Sequence, residues 1–292
     1  MQIMNNSIIG NKFLQWRKKM IQKGGRKVDF DWLLDIAGGV SWGTLQKIVL
    51  NPDLFFSLEV SIDELEVLWE LHLKDKIPLQ YLVKRCPWRD FELEVSPNAL
   101  IPRQESEFLI EFALKKVHEV SRGRWADLGT GSGPLAVSLA KSLPHWEGHA
   151  VDISTKALKL AMKNLKSIVP DSNVKLSQGH WWKPLQKWWG DFDLVLSNPP
   201  YIPTDLIENL DPVVKDHEPH IALDGGFDGM IPSRDIIFGA SNGLAQGGWL
   251  ILEHHYDQSD KIIELMKNIG MKDVSFEKDL NGIKRYAVCR KK

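Results

Sequence analysis

Arg124-Trp125-Ala126-Asp127-Leu128-Gly129-Thr130-Gly131-Ser132-Gly133-Pro134 runs from a short apolar strand through a glycine-rich turn into a helix that continues Leu135-Ala136-Val137-Ser138-Leu139-Ala140. Pro134 suits the first helical turn, where a missing N–H costs little. Glycines let the backbone approach a ligand closely, as in the strand–turn–helix units that bind nucleotides. The Lys-Ser/Thr pair of a phosphate-cradling loop is absent, so the turn alone is a weak signal. The next strand, Gly148-His149-Ala150-Val151-Asp152, strengthens it. Asp152 falls at its end, roughly 20 residues beyond the glycines, where a carboxylate can accept from both hydroxyls of a ribose. Asp152 also suits the start of a following helix with Leu158, Ala161, Met162, Leu165 and Ile168 on its apolar face. The order strand, glycines, strand, acid favours a nucleoside ligand without phosphates.

A third strand is predicted over 173–177, followed by the turn Gln178-Gly179-His180-Trp181-Trp182. An aromatic at that strand end can pack on an adenine face, though Trp181 equally suits a core. The fourth strand, Asp191-Phe192-Asp193-Leu194-Val195-Leu196, runs into Ser197-Asn198-Pro199-Pro200-Tyr201. Two prolines stop it, because neither has an N–H and the first biases Asn198 toward extended backbone. An amide, the carbonyl of Pro199 and the aromatic face of Tyr201 are thereby held at the carboxyl end of a strand, where open α/β sheets place ligands.

Such a site suits methyl transfer to a planar nitrogen. An amide nitrogen is a poor nucleophile because its lone pair is delocalised, as the rotation barrier of roughly 18–20 kcal/mol for a peptide bond shows. The Asn198 side-chain oxygen and the Pro199 carbonyl can accept its two N–H bonds, and Tyr201 can stack on its plane. The same residues also make an ordinary turn.

Helices over 233–244 and 259–269 and strands over 249–253, 273–277 and 285–289 complete the chain. The last two strands, joined through Leu280-Asn281-Gly282, read as an antiparallel hairpin. Strands alternating with helices predict a parallel sheet covered on both faces. Residues 202–230 are long, acidic and rich in proline and glycine, which suits a loop facing a substrate. Toward the amino terminus the pattern from 12 to 76 is helical, with Ser61-Ile62-Asp63-Glu64 as a capping box. Three parts are expected: a helical bundle over 1–76, a connecting hairpin over 77–103 and a catalytic domain over 104–292.

With 292 residues, 43% hydrophobic, the chain can bury a sizeable core. A formal net charge of −1 gives no bulk attraction to polyanions, so direct nucleic-acid binding is not expected. The two cysteines, Cys86 and Cys289, stand far apart outside any metal-like pattern, and reduced thiols without a disulfide or zinc are expected. Residues 1–10 lack the apolar core of a signal peptide and no run is long enough to span a bilayer. A cytoplasmic location is expected. Glu253-His254-His255 ends a strand near the site, and the adjacent histidines read as a solvated loop rather than a metal pair.

These residues resemble a known family. Asp127-Leu-Gly-Thr-Gly-Ser-Gly133, Ala150-Val-Asp-Ile-Ser154 and Ser197-Asn-Pro-Pro-Tyr-Ile-Pro203 look like the S-adenosylmethionine-dependent protein-glutamine methyltransferases called HemK or PrmC. The resemblance takes in Leu100-Ile-Pro-Arg103 with Glu105, Glu218-Pro219 and the Gly225-Gly-Phe-Asp-Gly229 turn, and covers about residues 77 to 292. It implies a class I S-adenosylmethionine-dependent methyltransferase fold, a Rossmann-like seven-stranded α/β sheet, with a small N-terminal helical domain. It implies N5-methylation of the glutamine in the Gly-Gly-Gln motif of class I peptide-chain release factors; a monomer is expected.

Carried over residue by residue, Gly129, Thr130, Gly131, Ser132, Gly133, Asp152, Trp181 and Asn198 hold the cofactor. Asn198, Pro199 and Tyr201 act in catalysis. Asn198, Pro199, Pro200, Tyr201, Arg103 and Glu105 meet the substrate, and no metal is involved. The chain departs from the family in reading Arg103-Gln104-Glu105-Ser106 where Arg-Pro-Glu-Thr is usual. His180 stands where an acid is usual, and Pro134 follows the glycines. Asn-Pro-Pro-Tyr is shared with DNA adenine methyltransferases, so another protein glutamine or adenine in DNA remains an alternative acceptor, and an idle binding module of the same fold a second alternative.

Overall fold

The computed structural model describes residues 6–292; residues 1–5 of the amino-terminal stretch read above lie outside the described residues. The chain divides into two compact units, 1–85 with 212–217, and 86–211 with 218–292. The cut falls after Arg85, inside the segment read as a connecting hairpin.

The first unit contains β1 (Ser7–Ile9), α1 (Gly10–Gln22), α2 (Lys27–Ile36), α3 (Trp42–Leu50), β2 (Phe55–Ser57), α4 (Ile62–Asp75) and α5 (Leu79–Val83). Its helices bury Phe13, Met20, Phe30, Leu33, Leu65 and Trp69 in one core. The capping box forms as expected: the Glu64 N–H donates to Ser61 Oγ at 3.2 Å, and the Ser61 N–H donates to Glu64 Oε2 at 2.9 Å. His72 pairs its Nδ1 with the Ile77 carbonyl at 2.8 Å. β1 and β2 pair antiparallel within the stretch expected to form a helical bundle. At three residues each, they are too short for alternation to register.

The second unit opens on β3 (Arg85–Trp88) and β4 (Phe91–Glu94), a hairpin turned through Arg89 at φ 52°. There follow α6 (Glu107–Val117), β5 (Arg124–Leu128), α7 (Pro134–Ser142), β6 (Glu147–Asp152), α8 (Thr155–Ile168), β7 (Val174–Gln178) and β8 (Phe192–Ser197). After α9 (Pro212–Lys215), which groups with the first unit, come α10 (Ile231–Gly243), β9 (Leu244–Glu253), α11 (Ser259–Asn268), β10 (Lys272–Lys278) and β11 (Lys284–Arg290). In α9's wake His217 Nε2 meets the Asp75 carbonyl at 2.8 Å.

One seven-stranded sheet runs β10-β11-β9-β8-β5-β6-β7. β7, β6, β5, β8 and β9 are parallel, with Ala126 facing His149 on one side and Val195 on the other. β11 is antiparallel to both β9 and β10, which is the expected closing hairpin. The chain steps outward from β5 to β7, then returns to β8 on the opposite side of β5. The order reverses there, and open sheets bind ligands at that switch point.

β5 and β8 are buried on both faces: Trp125, Ala126, Leu128, Leu194, Val195 and Leu196 are fully shielded. That is why they read as continuous apolar runs. β9 begins earlier than its apolar residues predict, because the register slips between Phe192 and Leu194 and the Gly247-Gly248 stretch bulges out. Trp182 lies in the core with its indole N–H on the Ile236 carbonyl at 2.9 Å. Gly239 is tolerated in α10 because a Cβ there would lie 2.0 Å from that indole. Among the described residues no helix is long and apolar enough to cross a membrane.

Candidate active site

The carboxyl ends of β5, β6, β7 and β8 open onto one cleft of about 260 Å³. Its floor is the glycine turn. Gly129 and Thr130 donate their N–H groups to the Val151 carbonyl at 2.8 and 2.9 Å, which pins the turn to the end of β6. The Gly131 N–H donates to Asp152 Oδ2 and the Ser154 N–H to Asp152 Oδ1, both at 2.8 Å. Each carboxylate oxygen thus keeps a lone pair free for a further donor. Burial holds the Asp152 carboxyl above its ordinary range.

Beneath it Thr130 Oγ1 donates to Asp127 Oδ2 at 2.6 Å, while Asp127 Oδ1 finds no hydrogen-bond partner among the described residues. Burial, with Asp152 nearby, pushes the Asp127 carboxyl up to about 7.

Trp181 lies across the cleft with φ 43°, a left-handed backbone that a bulky residue adopts only when its surroundings hold it there. Gly129 provides the space: a Cβ there would come 3.1 Å from the Trp181 ring, and its own φ of 82° suits glycine alone. His180 lines the cleft beside Trp181.

At the end of β8 the prolines act as read, since the strand stops at Ser197. Asn198 and Pro200 line the cleft. The Asn198 amide Nδ2 donates to Ser106 Oγ at 2.8 Å, and Ser106 Oγ donates to Glu253 Oε2 at 2.7 Å. Both Ser106 and Glu253 are buried, and burial pushes the Glu253 carboxyl up to about 7.

Of the residues read as functional, Gly129, Thr130, Gly131, Ser132, Asp152, Trp181, Asn198, Pro200 and Arg103 border the cleft. Gly133, Pro199, Tyr201 and Glu105 lie outside its lining. Gly133 instead brings α7 against α8, where a Cβ would meet Ala161 at 3.2 Å. Pro199 is buried. Tyr201 turns its ring toward His255, with centroids 6.1 Å apart, and burial raises its phenol well above the ordinary value. Glu105 is exposed and contributes its carbonyl, which accepts from Tyr286 Oη at 2.7 Å. Arg103 pairs its guanidinium with the buried Glu218 carboxylate, which also accepts from the Ile101 N–H at 3.1 Å.

The 202–230 stretch, read as a loop facing a substrate, folds back on the proline turn. The Ile202 N–H donates to the Leu223 carbonyl at 3.0 Å and the Gly225 N–H to the Ile202 carbonyl at 2.8 Å, which bridges Ile202 to Asp224, and Gln258 Nε2 donates to the carbonyls of Tyr201 at 2.9 Å and Gly229 at 3.1 Å. Pro219, Ile221, Ala222 and Asp224 from this stretch also line the cleft. From sequence this stretch reads as a loop facing a substrate and Glu253 as a strand end near the site, without any of these four residues, or Ser106 or Glu253, being named as a site residue. His254 is buried, with Nδ1 on the His255 carbonyl at 2.8 Å, so only His255 fits the expected solvated loop. No cluster that could hold a metal ion occurs among the described residues.

Residues 104–209 match the family model of the methyltransferase small domain. A release factor glutamine methyltransferase from Prochlorococcus marinus is 55% identical over 280 residues, 95% of this chain and 96% of that protein. A protein of the same name from Synechocystis sp. is 33% identical over 301 residues, 98% of this chain and 99% of that protein. Among solved structures, the hMettl16 catalytic domain in complex with a MAT2A 3′UTR hairpin superposes with a TM-score of 0.56. It covers 78% of this chain and 80% of its own at 14% identity, a likeness of fold alone.

Proposed function

The chain belongs to the release factor glutamine methyltransferases, and from that premise we propose that it N5-methylates the glutamine in the Gly-Gly-Gln motif of class I peptide-chain release factors, in the cytoplasm, using S-adenosylmethionine. One observation carries this reading: the glycine turn, Asp152, Trp181 and the Asn198 amide border a single cleft at the switch point of the sheet.

The residues fit the cofactor. Asp152 has lone pairs free for ribose hydroxyls, Trp181 offers an aromatic face for adenine, and the turn lacks the donors a phosphate would need. When bound, S-adenosylmethionine supplies an electrophilic methyl group. Asn198 Oδ1 and the Pro199 carbonyl accept the N–H bonds of the glutamine amide and aim its nitrogen, so positioning and fixed dipoles supply the rate. The nitrogen becomes acidic as it gains the methyl group, and its proton leaves to water without a strong base. Tyr201, whose phenol stays neutral, takes no proton.

The test is transfer of a labelled methyl group from S-adenosylmethionine to a purified class I release factor, with a Gly-Gly-Ala version and duplex DNA alongside. Label on the Gly-Gly-Gln protein alone is expected. Label on DNA, or on the Gly-Gly-Ala protein, overturns the acceptor.

A further inference from the structure

A carboxamide has one accepting end and one donating end, and the reaction proposed above needs the accepting end of Asn198 to face the glutamine. The two ends are nearly equal in size and shape, so what sets the orientation is the partner that tells them apart. Ser106 has a single hydroxyl proton, which it donates to Glu253 Oε2 at 2.7 Å. It therefore has only lone pairs left for Asn198, and takes the Nδ2 end at 2.8 Å. Ser106 is 4% exposed and Glu253 2%, so water does not replace either partner.

We propose that Ser106 and Glu253 are positioning residues, a two-step hydrogen-bond relay that holds the Asn198 carboxamide with its oxygen toward the acceptor nitrogen. The relay rests on the acceptor reading and specifies how that site is set. Its polarity originates at Glu253, because an ionised carboxylate only accepts. A protonated Glu253 can donate to Ser106, and Ser106 can then donate to Asn198 Oδ1. The amide is thereby reversed, and a donor faces a donor.

The charged and titratable groups around Glu253 are Arg285 from β11, Arg103 and Glu105 from the segment before α6, and the phenols of Tyr201 and Tyr286. Burial is the main influence on its proton. Turnover should then rise as the pH passes upward through neutrality and Glu253 ionises.

The experiment compares wild type with Ser106→Ala, Ser106→Thr and Glu253→Gln. Ser106→Ala should lower kcat about 10–100-fold, the scale of a small misplacement of a reacting group, with KM for the release factor and S-adenosylmethionine affinity within a factor of about 3. Ser106→Thr, which keeps the hydroxyl, should recover most of that loss. Glu253→Gln removes the titrating proton, so whichever end of the new amide faces Ser106, its kcat should stay flat with pH where the wild type rises. Unchanged kcat in Ser106→Ala overturns the relay, and so does an equal loss in Ser106→Thr.

A second readout does not depend on the acceptor. In side-chain amide NMR of the enzyme alone, with the signal assigned by its absence in Asn198→Ala, one Asn198 Nδ2 proton should be protected from solvent exchange in wild type and unprotected in Ser106→Ala. Equal protection in both overturns the relay even if no release factor is methylated. Protection as expected in an enzyme that labels no release factor retains the relay and rejects the acceptor.

Discussion

Replacing Asn198 by alanine removes the carboxamide oxygen proposed to accept from the glutamine amide, together with the Nδ2 donor that Ser106 accepts from. Losing one preorganised polar group at a reacting centre costs about 10²–10³ in kcat, and a loss of that order is expected here. S-adenosylmethionine binding, measured by calorimetry, should stay within a few-fold, because the glycine turn, Asp152 and Trp181 remain. A variant that turns over normally removes Asn198 from the chemistry. Asn198 is legible from sequence because its neighbours are decisive: an apolar strand before it, two prolines after it. The partners that orient it are not. Ser106 and Glu253 are 147 positions apart, and only the sheet order brings the end of β9 beside the start of α6. Trp181 and Trp182 make the same point over a shorter distance. Adjacent and chemically identical, they go to the cleft and the core respectively because φ 43° at Trp181 turns the chain between them, and no residue pattern announces that angle.

At the scale of elements, the strands and helices of the second unit follow from periodicity, and what escapes is short or irregular. β1, β2 and α5 are too brief to show a period, and β9 is extended by a bulge whose residues are not apolar. The 202–230 stretch reads only as a loop facing a substrate because what orders it comes from elsewhere. Gln258, at the start of α11, holds the Tyr201 and Gly229 carbonyls together through one amide, and its Oε1 accepts from the His255 N–H at 3.1 Å. Gly229 is required at the junction, where φ is 72° and a Cβ would lie 2.4 Å from the Tyr201 oxygen. Gln258→Met keeps the volume and deletes all three bonds. Leaving buried polar groups without partners costs about 1–3 kcal/mol each, so a loss of about 2–4 kcal/mol in unfolding free energy is expected after partial relaxation. The freed stretch carries Pro219, Ile221, Ala222 and Asp224 of the cleft wall, and KM for the release factor should rise several-fold. Loss of stability with KM unchanged would restrict the clamp to a structural role.

Across the whole molecule, buried titratable groups set how stability follows pH, and the site contributes to that cost. Asp127 and Glu253 are both fully enclosed and hold their protons to about 7. His149 is the opposite case. Buried between Trp188 and Phe192, it finds no hydrogen-bond partner among the described residues, and burial lowers it to about 4 despite Glu147 at 3.4 Å. Glu147 is already held down to about 2 by Lys175 and Arg124. Each sign follows from which state binds more protons. Unfolded His149 takes up its proton near its ordinary value of 6.5 while the folded ring refuses it until about 4, so its contribution is lost as pH falls through that window. Unfolded Asp127 gives up its proton near 3.8 while the folded carboxyl keeps it to about 7, so its contribution is lost as pH rises. The two oppose one another over most of their range, and the wild-type curve alone does not separate them. The Asp127→Asn variant does, because an amide accepts from Thr130 without titrating. Relative to wild type it should gain stability as the pH is raised from about 4 to 7, by at most roughly 1.4 kcal/mol per pH unit, and run parallel above that. Urea unfolding at half-unit pH intervals measures the difference directly, and parallel curves from pH 4 upward would mean that Asp127 is ionised in the folded protein throughout.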